Sequence, residues 1–219
     1  MAKGTSARAT GDTSDVRESL VRAAMELLEE MSPEELSLRD IARRAGVSHA
    51  APYHHFESKA ALLGEVARRG FIELDASMAD AQRAAPSAGL AGARAQLLAT
   101  GVGYFLFSRR RRAIYQLMME RPDMCERTGD DLRAASGAAF VRLVDAIAVA
   151  RTAASLPIDD TREDALFHWS LVHGISSLVA SGALGVLPSL DDEVALVRRL
   201  LERTGQVFSP RVALREGDT

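Results

Sequence analysis

The side chains best suited to chemistry lie between Ser37 and Lys59. Ser37, Arg39, Ser48, His49, Tyr53, His54 and Lys59 are hydrogen-bond donors or cations, and Ala50 and Ala51 among them are small. Small side chains let a helix come close to a nucleic-acid groove, while polar ones reach base edges and phosphates. Local charge agrees. From Ser37 to Gly70 the cations Arg39, Arg43, Arg44, Lys59, Arg68 and Arg69 outnumber the anions Asp40, Glu57 and Glu65, whereas Met1 to Leu36 is acidic. The whole chain carries a net charge of −3, so any attraction to a polyanion must be local.

The surrounding residues predict how these groups are held. Ser37 suits a helix N-cap and Asp40 the positive end of that helix's dipole. Leu38, Ile41, Ala42 and Ala45 form a buried stripe, and Gly46 stops the helix by adopting a left-handed backbone. Val47 and Phe56 are apolar plugs on either side of a second short helix, His49 to His54, capped by Ser48. Ser58 caps a long helix through Leu62, Leu63, Val66, Phe71, Leu74 and Met78 that ends before Pro86. Two short helices joined by a tight turn and carrying a basic face make a helix-turn-helix.

The remainder is also helical in pattern. Hydrophobic residues make up 47% of the 219 residues, charged residues 26% and aromatics only 5%, which supports a globular core and favours helix over strand. Met1 to Gly11 reads as a flexible arm without the apolar core of a secretory signal. Asp15-Val16-Arg17-Glu18 resembles a capping box opening a first helix, and Ser32-Pro33-Glu34-Glu35 carries a fresh helix-start signal. Later helices are expected over Leu90 to Ser108, Arg111 to Met119, Asp130 to Arg151, Arg162 to Ala183 and Leu190 to Phe208, with a loose tail from Ser209 to Thr219. The single cysteine, Cys125, excludes an internal disulfide and fits a reducing cytoplasm, and no apolar run is long enough for a membrane span.

The segment Leu36-Ser37-Leu38-Arg39-Asp40-Ile41-Ala42-Arg43-Arg44-Ala45-Gly46-Val47-Ser48 through Tyr53-His54-His55-Phe56-Glu57-Ser58-Lys59 resembles the DNA-binding domain of the tetracycline-repressor (TetR) family, and the similarity runs from about Val16 to Leu63. Trp169-Ser170-Leu171-Val172-His173-Gly174 resembles the Trp-His-Gly signature of one C-terminal subgroup. The resemblance implies an all-α fold of about nine helices. A DNA-binding domain would span 12–57 and a larger regulatory and dimerisation domain 58–208. It also implies roles. Ser37 and Lys59 would meet phosphates, Ser48, His49, Ala50 and Ala51 would enter the major groove with Arg39 close by, and Tyr53 and His54 would touch backbone and bases. Pro52 departs from the family pattern, standing where an aliphatic residue is usual.

The implied function is a ligand-responsive transcriptional regulator, a homodimeric repressor on a palindromic operator in double-stranded DNA. The alternative is a helical interaction or sensor protein without operator binding. The last two helices would pair subunits through Leu166, Ser170, Ser177, Val194, Val197 and Leu201. Tyr104, Phe107, Tyr115, Met118, Met119, Phe140, Trp169 and His173 form an aromatic and methionine set that reads either as ordinary core or as a pocket for a small-molecule effector. Arg109 to Arg112 reads as a solvated turn or a DNA contact, and His55 as packing or a DNA contact. No phosphate loop or nucleophile elbow points to an enzyme. The clustered histidines have no acid or cysteine to complete a tetrahedral set, so no metal or other cofactor is expected.

Overall fold

The computed structural model describes residues 8–120, 130–183 and 192–204. Residues 1–7 of the expected arm, Cys125, and the tail from Ser209 lie outside the described residues. Among the described residues there are nine helices and no strand: α1 (Arg8–Leu28), α2 (Leu38–Ala45), α3 (Ala51–His55), α4 (Lys59–Ala84), α5 (Gly89–Arg110), α6 (Arg112–Glu120), α7 (Asp130–Ala153), α8 (Thr161–Ala180) and α9 (Glu193–Arg203). They form two compact units, Met1–Phe71 with Arg111–Ser136, and Ile72–Arg110 with Gly137–Thr219. The division falls inside α4 rather than at Ser58, and α6 belongs to the first unit.

The first unit is organised by α1. Its face of Leu20, Val21, Ala24, Leu27 and Leu28 is buried together with Leu36, Ile41, Phe56, Leu62 and Val66. The helix opens at Arg8, upstream of the capping box expected at Asp15 to Glu18. Glu18 instead receives both terminal nitrogens of Arg69, at 2.5 and 2.6 Å. A bidentate guanidinium outcompetes a local cap for this carboxylate. At Ser32 the helix-start signal yields only a turn, in which the Ser32 amide and hydroxyl both donate to Glu35 at 3.0 Å. The joint between α6 and the start of α4 needs a glycine. A Cβ on Gly70 would lie 2.5 Å from Met118 Sδ and 2.7 Å from Ile114 Cγ2.

The second unit packs α5 against α8 and α9. Gly103 brings α5 close to the second half of α4, where a Cβ would meet the Ser77 carbonyl at 2.6 Å, and the Ser77 hydroxyl donates to the Gly103 carbonyl at 2.9 Å. Arg142 on α7 grips Asp75 on α4 through two bonds of 2.6 and 2.8 Å. Buried Arg151 joins the end of α7 to the start of α8 through buried Asp164 and the Pro157 carbonyl. The arginine run divides its partners. Arg109 pairs with Glu193 at 3.0 Å and Arg110 donates to Ser77 Oγ at 3.1 Å, both in the second unit, while Arg111 sits 3.6 Å from Glu29 in the first.

Candidate nucleic-acid interface and effector cavity

The turn between α2 and α3 is set by local chemistry. The Ser37 hydroxyl accepts the Asp40 amide at 3.2 Å and donates to the Asp40 carboxylate, which holds that carboxyl below the ordinary range. Gly46 closes α2 with φ +70°, and its amide donates back to the Ala42 and Arg43 carbonyls. A Cβ there would meet nothing within 4 Å, so the requirement for glycine is one of backbone conformation alone. Gly46→Ala is therefore expected to lower stability by about 1–2 kcal/mol, with Gly46→Asn recovering part of the loss. Urea denaturation of the two variants checks this; an unchanged midpoint in Gly46→Ala would contradict it.

α3 begins at Ala51 rather than His49, and Ser48 does not cap it with its side chain. Pro52 explains the shift. It occupies the first turn, where a missing amide costs nothing, and its ring is buried in the slot expected to hold an aliphatic side chain. The outward face is then Ser48, His49, Ala50, Tyr53 and His54, all exposed, with Ala51 half-buried. Tyr53 is 64% exposed although it is a large aromatic residue. Phe56 is buried beneath α3, with the Arg17 guanidinium 5.0 Å from its ring centre, and His55 is half-buried beside it. Ser58 Oγ accepts the Ala61 amide at 3.1 Å and caps α4. Lys59 Nζ donates to the Glu34 carbonyl at 3.1 Å, which fixes its stem beside the turn.

Not every cation counted along the chain faces outward for binding. Arg44 is clamped by Glu30 at 2.8 and 2.9 Å and lies 3.7 Å from Glu26, fastening α2 to α1. Arg68 and Arg69 converge on buried Glu65. Arg39 is exposed, and Arg43, also exposed, carries a 2.8 Å pair with Asp40. The basic surface of the head therefore rests on Arg39, Arg43 and Lys59.

The second unit holds a cavity of about 490 Å³ between α4, α5, α7, α8 and α9. Tyr104 and Trp169 line it, as do Met78, Leu97, Gly101, Leu143, His168, Val172, Leu201 and Thr204. Trp169 meets Tyr104 edge-on at 5.1 Å between ring centres and Phe140 at 5.8 Å. His173 Nδ1 is 3.1 Å from the Tyr104 hydroxyl. His168 Nδ1–H donates to the Asp164 carbonyl at 2.8 Å, and Thr204 Oγ1 is 2.8 Å from its Nε2. Burial pushes both imidazoles down from their ordinary value, so both are neutral at pH 7.

Four of the eight residues expected to form a pocket thus cluster, Tyr104, Phe140, Trp169 and His173. Phe107 is buried in the same unit without lining the cavity. Tyr115, Met118 and Met119 belong to the first unit, where Met118 packs on Gly70, and are not among the described lining residues. Met78, His168 and Thr204 were missed, because their part in the cavity depends on packing between helices distant in sequence. Among the expected subunit contacts, Leu166 and Ser170 are exposed and Ser177 and Val194 half-buried. Val197 and Leu201 are buried, Leu201 against Gly101, so they serve the core of their own unit.

Residues 20–66 match the family described as bacterial regulatory proteins, tetR family, and residues 97–204 match the tetracyclin repressor-like C-terminal domain. The chain belongs to the TetR family. The first match encloses Ser37 to Lys59, and the second encloses Tyr104, Trp169 and Thr204. Tetracycline repressor protein class C of Escherichia coli is 45% identical over 51 residues, and the alignment covers 23% of this chain and 23% of that relative. A Rhodococcus sp. RHA1 protein of unknown function superposes with a TM-score of 0.72 at 32% identity, covering 86% of this chain and 94% of that one. The TetR family transcriptional regulator PfmR from Thermus thermophilus shares the fold at a TM-score of 0.62 and 16% identity, covering 84% and 96%.

Proposed function

We propose that this TetR-family chain is a DNA-binding transcriptional regulator, a homodimeric cytoplasmic repressor released from a palindromic operator by a small molecule. The observation that carries the reading is the outward face of α3. Ser48, His49, Tyr53 and His54 are exposed on and just before a five-residue helix whose other side is locked by buried Pro52 and Phe56. A large aromatic side chain left in solvent beside small and polar neighbours suits a groove better than a core. The DNA-binding head corresponds to residues 12–57, followed by a regulatory and dimerisation region over 58–208. None of the head's or the cavity's groups is assigned a catalytic role.

One head offers few phosphate contacts, so two heads related by a two-fold axis would share the operator, with half-sites roughly 34–36 Å apart or at a related spacing. Exposed Leu166 and Phe167 on α8, followed by Ser170 and half-buried Ser177, supply an apolar and small-residue stripe for that pairing. No described helix is long and apolar enough to cross a membrane.

Continuity of α4 supports the switch. The same helix begins at Lys59 beside the head and carries Met78 into the cavity lining. An effector that prefers one tilt of α4 would move the recognition helices apart or together, and a coupling of about 1–3 kcal/mol would change operator affinity roughly 5- to 150-fold. A gel-shift assay on DNA upstream of the protein's own gene tests the reading. A salt-sensitive, sequence-selective shift is expected, and its absence there and on selected duplexes would overturn it.

Lys59→Ala provides a finer check. Loss of one ammonium per head is expected to weaken binding to all sequences alike and to flatten the slope of log affinity against log salt by about one per half-site. An unchanged slope would remove Lys59 from the phosphate contacts.

A further inference from the structure

The chemical class of the effector is written in the way the cavity's polar groups are already occupied. This inference rests on the effector-cavity reading above. The interior polar groups are bonded inside the protein: the Tyr104 hydroxyl meets His173, His168 uses both ring nitrogens, and the Thr204 hydroxyl also reaches the Leu201 carbonyl at 2.5 Å. Each of these side chains thus has a polar partner within the protein, Thr204 sharing its one proton between His168 Nε2 and the Leu201 carbonyl. Burial keeps both imidazoles neutral, so neither offers a cation to an acid. Among the described residues the charged lining residues are Arg94 and Glu202, both exposed and of opposite sign. They mark the solvent side of the lining. The remaining walls, among them Met78, Leu97, Leu143 and Val172, are apolar. A formal charge brought among them would lose its hydration with no partner to replace it.

We propose that the cavity takes an uncharged, predominantly apolar molecule, with an aromatic or alicyclic body resting against Trp169. At about 490 Å³ the space falls within the roughly 300–1,000 Å³ of small-molecule sites. Acids of the same size would be rejected by the walls rather than by the rim.

The chain's single tryptophan is Trp169, so its emission reports the cavity directly. The test uses two probes that share one skeleton, neutral N-phenyl-1-naphthylamine and anionic 8-anilinonaphthalene-1-sulfonate, titrated into the full-length protein. The neutral probe is expected to quench Trp169 and to bind at least about tenfold more tightly than the sulfonate. Ala95→Phe, which fills a lining position on α5, is expected to abolish that quenching while helix content stays unchanged. Should Ala95→Phe fail to fold, the smaller Ala95→Leu is expected to weaken the neutral probe severalfold.

Equal or tighter binding of the sulfonate would overturn the proposal. So would neutral-probe binding that leaves Trp169 emission unchanged, or a folded Ala95→Phe protein that binds as well as the parent. No DNA enters these titrations. Their failure therefore leaves the regulator reading standing, and failure of the gel shift leaves the ligand class standing.

Discussion

Tyr53→Ala should abolish operator binding under conditions where the parent protein is saturated, while thermal stability and subunit pairing stay as they are. The side chain is 64% exposed, so its truncation removes almost no buried area from the fold. Its surroundings are also stable without it, since α3 is held by Pro52 and Phe56, both buried, and by the Phe56 amide donating to the Pro52 carbonyl at 2.9 Å. Loss of a contact to a base or phosphate costs about 1–3 kcal/mol per half-site, and a two-fold dimer loses it twice, about 2–6 kcal/mol in all. That corresponds to a fall in affinity from about thirtyfold to beyond the reach of a gel shift. Tyr53→Phe separates the parts. It keeps the ring and removes the hydroxyl, so a defect as large as that of alanine would assign the contact to the hydroxyl. Normal affinity of Tyr53→Ala with the fold intact would remove α3's outer face from the interface.

Glu65→Gln is expected to be strongly destabilising for the first unit. Arg68 donates to this carboxylate twice at 2.8 Å, Arg69 once at 3.1 Å, and Arg17 lies 3.5 Å away. These guanidiniums, Arg68 foremost, hold the carboxyl down to about 2 despite burial, which acts in the opposite direction. Against an ordinary carboxylate near about 4.3, this corresponds to about 3 kcal/mol of native preference for the charged form. Gln keeps the shape and removes the charge, leaving Arg68 and Arg17 without it while Arg69 keeps Glu18, at a cost of about 2–4 kcal/mol. The sign of the pH effect follows. A depressed folded value means that the contribution is complete above the unfolded pKa and is lost as pH falls through that value towards about 2. The stability gap between parent and Glu65→Gln, measured in urea, should be widest at pH 7 and close progressively below about pH 4. A gap that stays constant down to about pH 3 would contradict the assignment.

The head was legible in the sequence because its signals are local. Ser37, Gly46 and Ser58 act on backbone groups within a few residues, and all three do so as expected. Where the structure departs from expectation, a distant partner intervenes. Glu18 is three residues from Asp15 in sequence but is taken by Arg69, and Arg44 and Arg68 look free until Glu30 and Glu65 are placed beside them. The start of α3 differs for another reason, since the proline in its first turn fixes the boundary rather than the serine before it.

The cavity was less legible for the same physical cause. Residue type and helical spacing pick out Tyr104 and Trp169, but nothing along the chain separates Met78 and Thr204, which line the cavity, from Met118, which fills a notch over Gly70. Likewise, Val197 and Leu201 share the apolar character of an interface helix, and only the packing of α9 on α5 shows that they face inward.

The central claim is that the exposed face of α3, presented twice by a symmetric pair of chains, reads duplex DNA. Selection of bound sequences from a random duplex library by the full-length protein tests it most directly. The expected product is an inverted repeat whose half-site centres are about 10 base pairs or a related spacing apart, with enrichment lost in Tyr53→Ala. A library that emerges unenriched, or enriched for a site without two-fold symmetry and equally well by Tyr53→Ala, would contradict it.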